Sequence, residues 1–416
     1  MALILFTIFL DLLGIGLLFP IGPFYASSFG ATAFDVGLLF TSFSVAQFLT
    51  IPILGALSDR YGRRPVLLIC IAGEALGYIL FGTASSLTML YMSRLVAGAS
   101  SGNIGAAQAY MADITTPRER TRGFGLLGTA VSVGFLFGPI MGGFLGQFDL
   151  RLPAFVAAGL VVVNWISALV WLPESLPADR RSGASLTRGL NPFAVLGTLL
   201  KRPLLRAPLA ATFLCNFAFS GFLATFALFT NARFDWGPEN VAGVLVVQSL
   251  ISIIVQTLGV RRMSAVLPDT TIFMIGAVVN FLGFLAIAWA PHPLLLYVLS
   301  APLQATGSAL WRPSLTSLVS KLVSNREQGL GSGGSQASSA LATIVGPMWA
   351  GIIFEQIGKP SPFLASAAIF AIAAATIGVA VRRQPALGAI TPALAAKPVA
   401  SAPRPTETAQ PGLQSH

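Results

Sequence analysis

Long runs that lack Asp, Glu, Lys and Arg constrain this chain more than any other feature. Residues 36–58, 123–148, 152–173, 207–232, 240–260, 328–354 and 360–381 carry none of the four. A helix needs about 20 largely apolar residues to cross the hydrocarbon of a bilayer. The uncharged run 270–311 is too long for one crossing, and Pro291-His292-Pro293 divides it. Three further runs hold a single charge each: Asp11, Glu74 and Arg94. Twelve spans are therefore predicted at 2–25, 36–57, 65–84, 87–112, 122–147, 152–172, 206–230, 239–259, 270–290, 293–321, 329–355 and 361–381. Composition agrees: 55% of residues are hydrophobic and 10% charged, where a soluble domain has about 25% charged. An all-α membrane protein is the expected fold class.

The net charge of +10 raises the question of nucleic acid. Placement answers it, because the charges fall in short clusters between apolar runs and form no continuous basic face. On the side of both termini the loops carry Arg60, Arg63, Arg64, Arg118, Arg120, Arg122, Arg180, Arg181, Arg188, Lys201, Arg202, Arg206, Arg261, Arg262, Lys321 and Arg326. The opposite side carries Arg151, Arg233 and Lys359. The positive-inside rule then puts both termini in the cytoplasm of a multi-pass plasma (inner) membrane protein. The start of the chain has no basic region before its apolar run, so no cleavable leader is expected. Cys70 and Cys215 lie far apart within apolar runs and offer no metal or disulfide spacing. No metal and no cofactor are expected.

A repeat divides the chain. Gly138-Pro139 recurs as Gly346-Pro347, and Glu119 as Glu327, both at an offset of 208 residues. The longest internal loop separates the two copies and mixes Pro177, Gly183 and Gly189 with charges. The expected organisation is a six-helix half at 1–172, a cytoplasmic linker at 173–205, a second six-helix half at 206–381 and a disordered tail at 382–416. Repeated halves are common in transporters, with the site near the midplane between them.

Four motifs carry chemistry. After the second span the chain reads Gly55-Ala56-Leu57-Ser58-Asp59-Arg60-Tyr61-Gly62-Arg63-Arg64. The fourth span holds Arg94-x-x-x-Gly98-x-x-x-Gly102. Its glycines permit close helix approach, and an arginine in hydrocarbon normally faces a cavity or an acid. The fifth span holds Gly134-x-x-x-Gly138-Pro139-x-x-Gly142-Gly143, where proline bends the helix. The first holds Asp11-x-x-Gly14-x-Gly16-x-x-x-Pro20-x-x-Pro23. Asp11 lies too deep to be a snorkelling end charge.

The loop after the second span resembles the G-x-x-x-D-x-x-G-R-[RK] loop of the major facilitator superfamily. The other three motifs resemble those of its twelve-span drug:proton antiporters, the tetracycline exporters among them. That resemblance implies the major facilitator fold, with two six-helix halves. It also implies a charge cluster of Asp59, Arg63 and Asp113, set by Gly55, Gly62 and Arg64, that latches the outward-facing state. It implies an antiporter role for the fifth span, and Asp11, Glu74 and Arg94 become the expected proton-coupling groups. Two departures bear on substrate. Gly77 and Asn280 stand where tetracycline exporters carry acids, so tetracycline resistance is expected to be weak or absent. Asn280 and Arg312 are assigned to the substrate cavity, and Arg312 reads equally as a gate residue.

The expected function is secondary active transport: proton-coupled efflux of small lipophilic compounds by a monomer, with substrate, protons and the bilayer as partners. A metabolite facilitator or symporter for sugars or organic acids is the alternative, favoured by Arg312. The chain shows no G-x-x-x-x-G-K-[ST] loop, so an ATP-driven pump is disfavoured. No catalytic constellation suggests an enzyme.

Overall fold

The computed structural model describes residues 1–116, 119–177, 179, 181, 192–324 and 327–388. Expectations resting on Arg118, Arg180, Arg188, Arg326, the middle of the linker and the tail beyond 388 lie outside the described residues, as do the side chains of Arg120 and Arg122. Twelve membrane-crossing elements run in chain order. The first half comprises α1 (Ala2–Leu18, continued by Gly22–Ser27), α2 (Ala33–Tyr61), α3 (Arg63–Gly82), α4 (Leu87–Ala99 and Asn103–Ile114), α5 (Arg120–Gly146) and α6 (Leu152–Trp171). The second comprises α7 (Pro203–Phe234), α8 (Pro238–Ile254, running on to Val266), α9 (Asp269–Ala288), α10 (Leu296–Ser300 and Ala301–Lys321), α11 (Gln328–Gln356) and α12 (Ser361–Arg383). No strand occurs among the described residues.

Nine of these are long and apolar enough to cross a bilayer as single helices, among the described residues. The other three, α1, α4 and α10, are each interrupted or polar, for local reasons. Pro20 cannot donate a backbone hydrogen bond, and α1 breaks at Phe19–Ile21. In α4 the break follows Ser100-Ser101-Gly102, where the Ser101 hydroxyl donates back to the Gly98 carbonyl at 2.7 Å. Serine back-bonding and a glycine together weaken the helix ladder. α10 carries Gln304, Ser308 and Arg312 along its length.

Helix pairing repeats between the halves. α1 packs on α5 as α7 packs on α11, α3 on α6 as α9 on α12, and α2 on α4 as α8 on α10. Each half has its own buried core, around Leu17, Tyr78 and Phe81 in the first and around Phe222, Phe284 and Phe370 in the second. Across the halves α2 meets α11 and α5 meets α8, contacts that the same two-fold relation exchanges. Gly143 lies against Ala242 and Pro238 of α8, while Gly351, 208 residues on, lies against Ala33 and Phe34 of α2. At both places a Cβ would collide with the opposite helix, so only glycine allows the approach.

These contacts clamp the face remote from the termini. The Phe34 N–H donates to Glu355 Oε1 at 3.0 Å, and Thr41 Oγ1 donates to the Ile344 carbonyl at 2.7 Å. Both side-chain hydrogen bonds that cross the halves, among the described residues, lie toward that face. A helix at Pro192–Leu200, not anticipated from the sequence, precedes α7. It seats Leu199 with Leu205, Leu209, Val319 and Val323 of the second half. Arg202 pairs with Glu327 at 2.6 Å beside it.

Candidate functional site

Among the described residues, two cavities bring chemically distinctive side chains together. The smaller, about 130 Å³, lies inside the first half and is lined by Asp11, Gln47, Glu74, Tyr78 and Arg94 among apolar side chains. Asp11 and Glu74 are both buried, at 6% exposure. They come from α1 and α3, and α4 joins them: Asn103 Nδ2 donates to Asp11 Oδ1 at 3.0 Å and to Glu74 Oε2 at 2.9 Å. The Tyr78 hydroxyl donates to the other Glu74 oxygen at 2.9 Å. One amide nitrogen thus holds two carboxyl groups together in an apolar setting. Asn103 begins the second segment of α4, so the helix break is what turns its side chain toward both acids.

Sequence reading missed Asn103. It is a neutral residue in a span already explained by its glycines, and only the break after Gly102 marks it. Those glycines do serve packing: Gly98 lies against Phe43 and Ala46, and Gly102 against Leu54, all on α2. Gly77 explains why the acid sits at position 74. A Cβ at 77 would meet the Ala97 backbone of α4, whereas position 74 faces the cavity.

Arg94 lines the same cavity but makes no ion pair with either acid among the described residues. Its guanidinium lies 4.7 Å from the centre of the Phe81 ring, a favourable cation–π distance. Its Nη2 is buried without a partner. Glu74 therefore partners Asp11 through Asn103.

The larger cavity, about 560 Å³, lies between the halves on the terminal side of the clamp. α1 and α5 supply an apolar wall that includes Phe19, Phe135 and Pro139. The second half supplies the polar wall, with Gln248, Gln256, Gln304, Ser308 and Arg312. Arg312 is exposed to this cavity. Its guanidinium lies 4.5 Å from the centre of the Phe219 ring and 4.9 Å from that of Trp311. Phe19, at the break in α1, lines both cavities. The expectation for Asn280 is corrected: it is fully buried, sits against Gly307 between α9 and α10, and is absent from the cavity lining. Gly307 leaves that space for the amide, which is why it points into the helix contact.

The charged loop after α2 gathers four helices. Arg63 pairs with Asp59 at 2.6 Å and with Asp113, at the end of α4, at 3.2 Å. Glu174, just beyond α6, accepts from the backbone N–H of Arg63 at 2.8 Å and of Arg64 at 3.2 Å. It caps the start of α3, where unpaired N–H groups and the helix dipole favour a carboxylate. Gly62 has φ +110°, and a Cβ there would collide with the Glu174 carboxylate. Arg64 Nη2 donates to the Leu169 carbonyl at 2.7 Å. No side chain lies near Gly55 on its open side. Glu174 was missed because a loop acid close to a span end has no distinguishing spacing. The second half holds the counterpart with signs exchanged: Asp269 opens α9 and pairs at 2.7 Å with Lys321 at the end of α10. Lys321 stands 208 residues after Asp113.

The glycines of α5 mostly face α1. Gly134 lies against Phe9 and Leu12, Gly138 against Leu13 and Gly16, and Gly142 against Leu17, while Gly143 turns to α8. The bent helix therefore touches both the helix that bears Asp11 and the opposite half.

Repeated six-helix halves with paired buried carboxyls inside one half and a polar-walled cavity between the two define a membrane carrier. The Major Facilitator Superfamily profile matches residues 4–293 and 245–409, and the chain belongs to that superfamily. It is a multi-pass secondary transporter of small molecules and not an enzyme. Among its relatives, Multidrug resistance protein 2 of Bacillus subtilis (strain 168) is 28% identical over 87% of this chain and 90% of the relative. Tetracycline resistance protein, class C, of Escherichia coli is 30% identical over 83% and 87%. The crystal structure of the human organic anion transporter MFSD10 (TETRAN) is similar at a TM-score of 0.69 and 27% identity, covering 90% of this chain and 98% of that one. The nucleoside transporter NupG, at a TM-score of 0.77 and 15% identity, shares the fold.

Proposed function

We propose that this protein is a proton-coupled efflux carrier in which the Asp11–Glu74 pair binds and releases the transported proton. The observation that carries the reading is the shared Asn103 amide, 3.0 Å and 2.9 Å from the two carboxyls. Ionisable groups within membrane helices mark ion or proton paths. A carboxyl keeps its charge near a fixed cation and takes up a proton when moved away from it. Arg94 lines the same cavity and supplies that cation in one state of the cycle. Relatives with the printed names of multidrug and tetracycline resistance proteins support export as the direction. With both termini in the cytoplasm, as loop charge indicates, the clamp on the remote face makes this an inward-facing state. The Asp59–Arg63–Asp113 cluster, already paired within the first half in this state, then serves as the latch by engaging the second half when the cytoplasmic side closes, and the glycine-rich α5 carries motion between Asp11 and the other half. A monomer in the plasma membrane is the working unit.

The test uses purified protein in vesicles with an imposed pH gradient. Proton movement on adding substrate, lost in Asp11→Asn and Glu74→Gln, supports antiport. Transport that continues unchanged when the gradient is collapsed overturns it in favour of a facilitator.

A further inference from the structure

The central cavity has a charge character of its own. Among the described residues that line it, Arg312 is the one charged group, and none is acidic. Its guanidinium rests on the Phe219 and Trp311 rings and has no carboxylate partner among the described residues. A guanidinium that faces the cavity with no acid beside it is free to pair with an anionic ligand. Two neighbours on the same helix are also unsatisfied. Gln304 is 1% exposed, and neither its Oε1 nor its Nε2 has a hydrogen-bond partner. The Ser308 hydroxyl is buried and unpaired as well. Gln304, Ser308 and Arg312 follow at four-residue intervals, which puts them on one face of α10, and all three line the cavity. Unsatisfied buried polar groups call for a ligand or water.

The opposite wall is apolar and aromatic, with Phe19, Phe135 and Pro139. A volume of about 560 Å³ falls within the roughly 300–1,000 Å³ of drug-sized pockets. The carboxyls lie in the other cavity, with Phe19 common to both. A lipophilic cation in the central cavity would face Arg312 and meet no compensating acid.

We propose that the central cavity takes organic anions, namely aromatic compounds that bear a carboxylate or sulfonate, with the acid group on Arg312 and the ring system against the Phe19–Phe135 wall. Gln304 and Ser308 donate to the remaining acid oxygens or to polar substituents. An inside-negative membrane potential pushes such an anion outward, in the direction of the efflux reading on which this inference rests.

The test pairs two dyes of one ring system and opposite charge, fluorescein (anionic) and rhodamine 123 (cationic), with the full chain in detergent for binding and in vesicles for transport. Fluorescein should bind and be transported, with rhodamine 123 much weaker. Arg312→Gln should weaken fluorescein binding by roughly tenfold to a hundredfold, the effect of removing a charged hydrogen-bonding partner. Arg312→Lys should recover part of that loss, and since it keeps the charge it separates ligand recognition from folding. Preference for rhodamine 123, binding of neither dye, or an Arg312→Gln variant with undiminished fluorescein affinity overturns the proposal. If rhodamine 123 is expelled under a pH gradient while fluorescein is not, efflux stands and the anion assignment falls.

Discussion

Replacing Asn103 tests whether the two carboxyls work as one unit. The Asn103 Nδ2 lies 3.0 Å from Asp11 Oδ1 and 2.9 Å from Glu74 Oε2. A hydrogen bond to a charged group contributes about 1.5–3 kcal/mol. Two such bonds bound the loss at about 3–6 kcal/mol, and one shared nitrogen puts the expectation near the lower end. About 3 kcal/mol corresponds to roughly a hundredfold change in a population. Asn103→Ala should therefore reduce gradient-driven transport by roughly that factor. Substrate binding and downhill exchange should stay close to wild type, because the central cavity does not include Asn103. Asn103→Asp provides the control: it nearly preserves volume but swaps the donor for a third carboxyl, so it should do no better than alanine. The assay is accumulation in vesicles under an imposed pH gradient, with size-exclusion and thermal unfolding in detergent to confirm folding. Full accumulation by Asn103→Ala, or by Asn103→Asp, would refute the shared-donor argument and leave Asn103 a packing residue.

Four further outcomes follow from the geometry. Asp11→Asn should abolish accumulation against a gradient while allowing downhill exchange, and accumulation at full rate would move the proton site elsewhere, with Glu74 next. Asp59→Asn should cut transport strongly with expression largely intact, since it removes the 2.6 Å pair with Arg63, and undiminished transport would remove the latch. Expression in a sensitive host should give weak or no tetracycline resistance, measured as the inhibitory concentration, because position 77 abuts Ala97 and cannot hold an acid. The Arg202 guanidinium holds the Glu327 carboxyl down to about 2, below its usual 4.5. That depressed value makes the pair's contribution complete above 4.5 and lost as pH falls from 4.5 toward 2. A spin label at Leu200 should accordingly keep the same mobility from pH 8 to pH 5, and loosening within that interval would contradict the pairing.

The membrane architecture was legible because hydrocarbon imposes a strict length and polarity on each crossing. Predicted spans overlap all twelve elements, and the repeat read from Gly138-Pro139 and Gly346-Pro347 corresponds to helix pairings that recur in both halves. Ends were less legible. α2 runs over Ala33–Tyr61 against the predicted 36–57, because Thr32 and Asp35 form a reciprocal cap at its start. Breaks inside α1 and α4 were not foreseen, since Pro20 and Gly102 sit in runs whose hydropathy is unchanged by a bend. The candidate site was half legible. Asp11, Glu74 and Arg94 stand out as charges in hydrocarbon, but which of them meet depends on helix rotation, which apolar spans with little polar contrast do not encode. Neutral Asn103 and the capping Glu174 acquire their roles only through tertiary approach.

Phe19 belongs to both cavities, but the groups that give each its chemistry lie in different halves: the carboxyls on α1 and α3, and Gln304, Ser308 and Arg312 on α10. On the proposed reading, the proton site and the polar wall of the cargo site are thus encoded in separate stretches of the gene, while the first half lends the cargo site Phe19, Phe135 and Pro139. Substitutions at Gln248, Gln256 or Ser308 can alter what is carried while the carboxyl pair is untouched. On the proposed reading, a lineage built this way can change its cargo without losing its energy source.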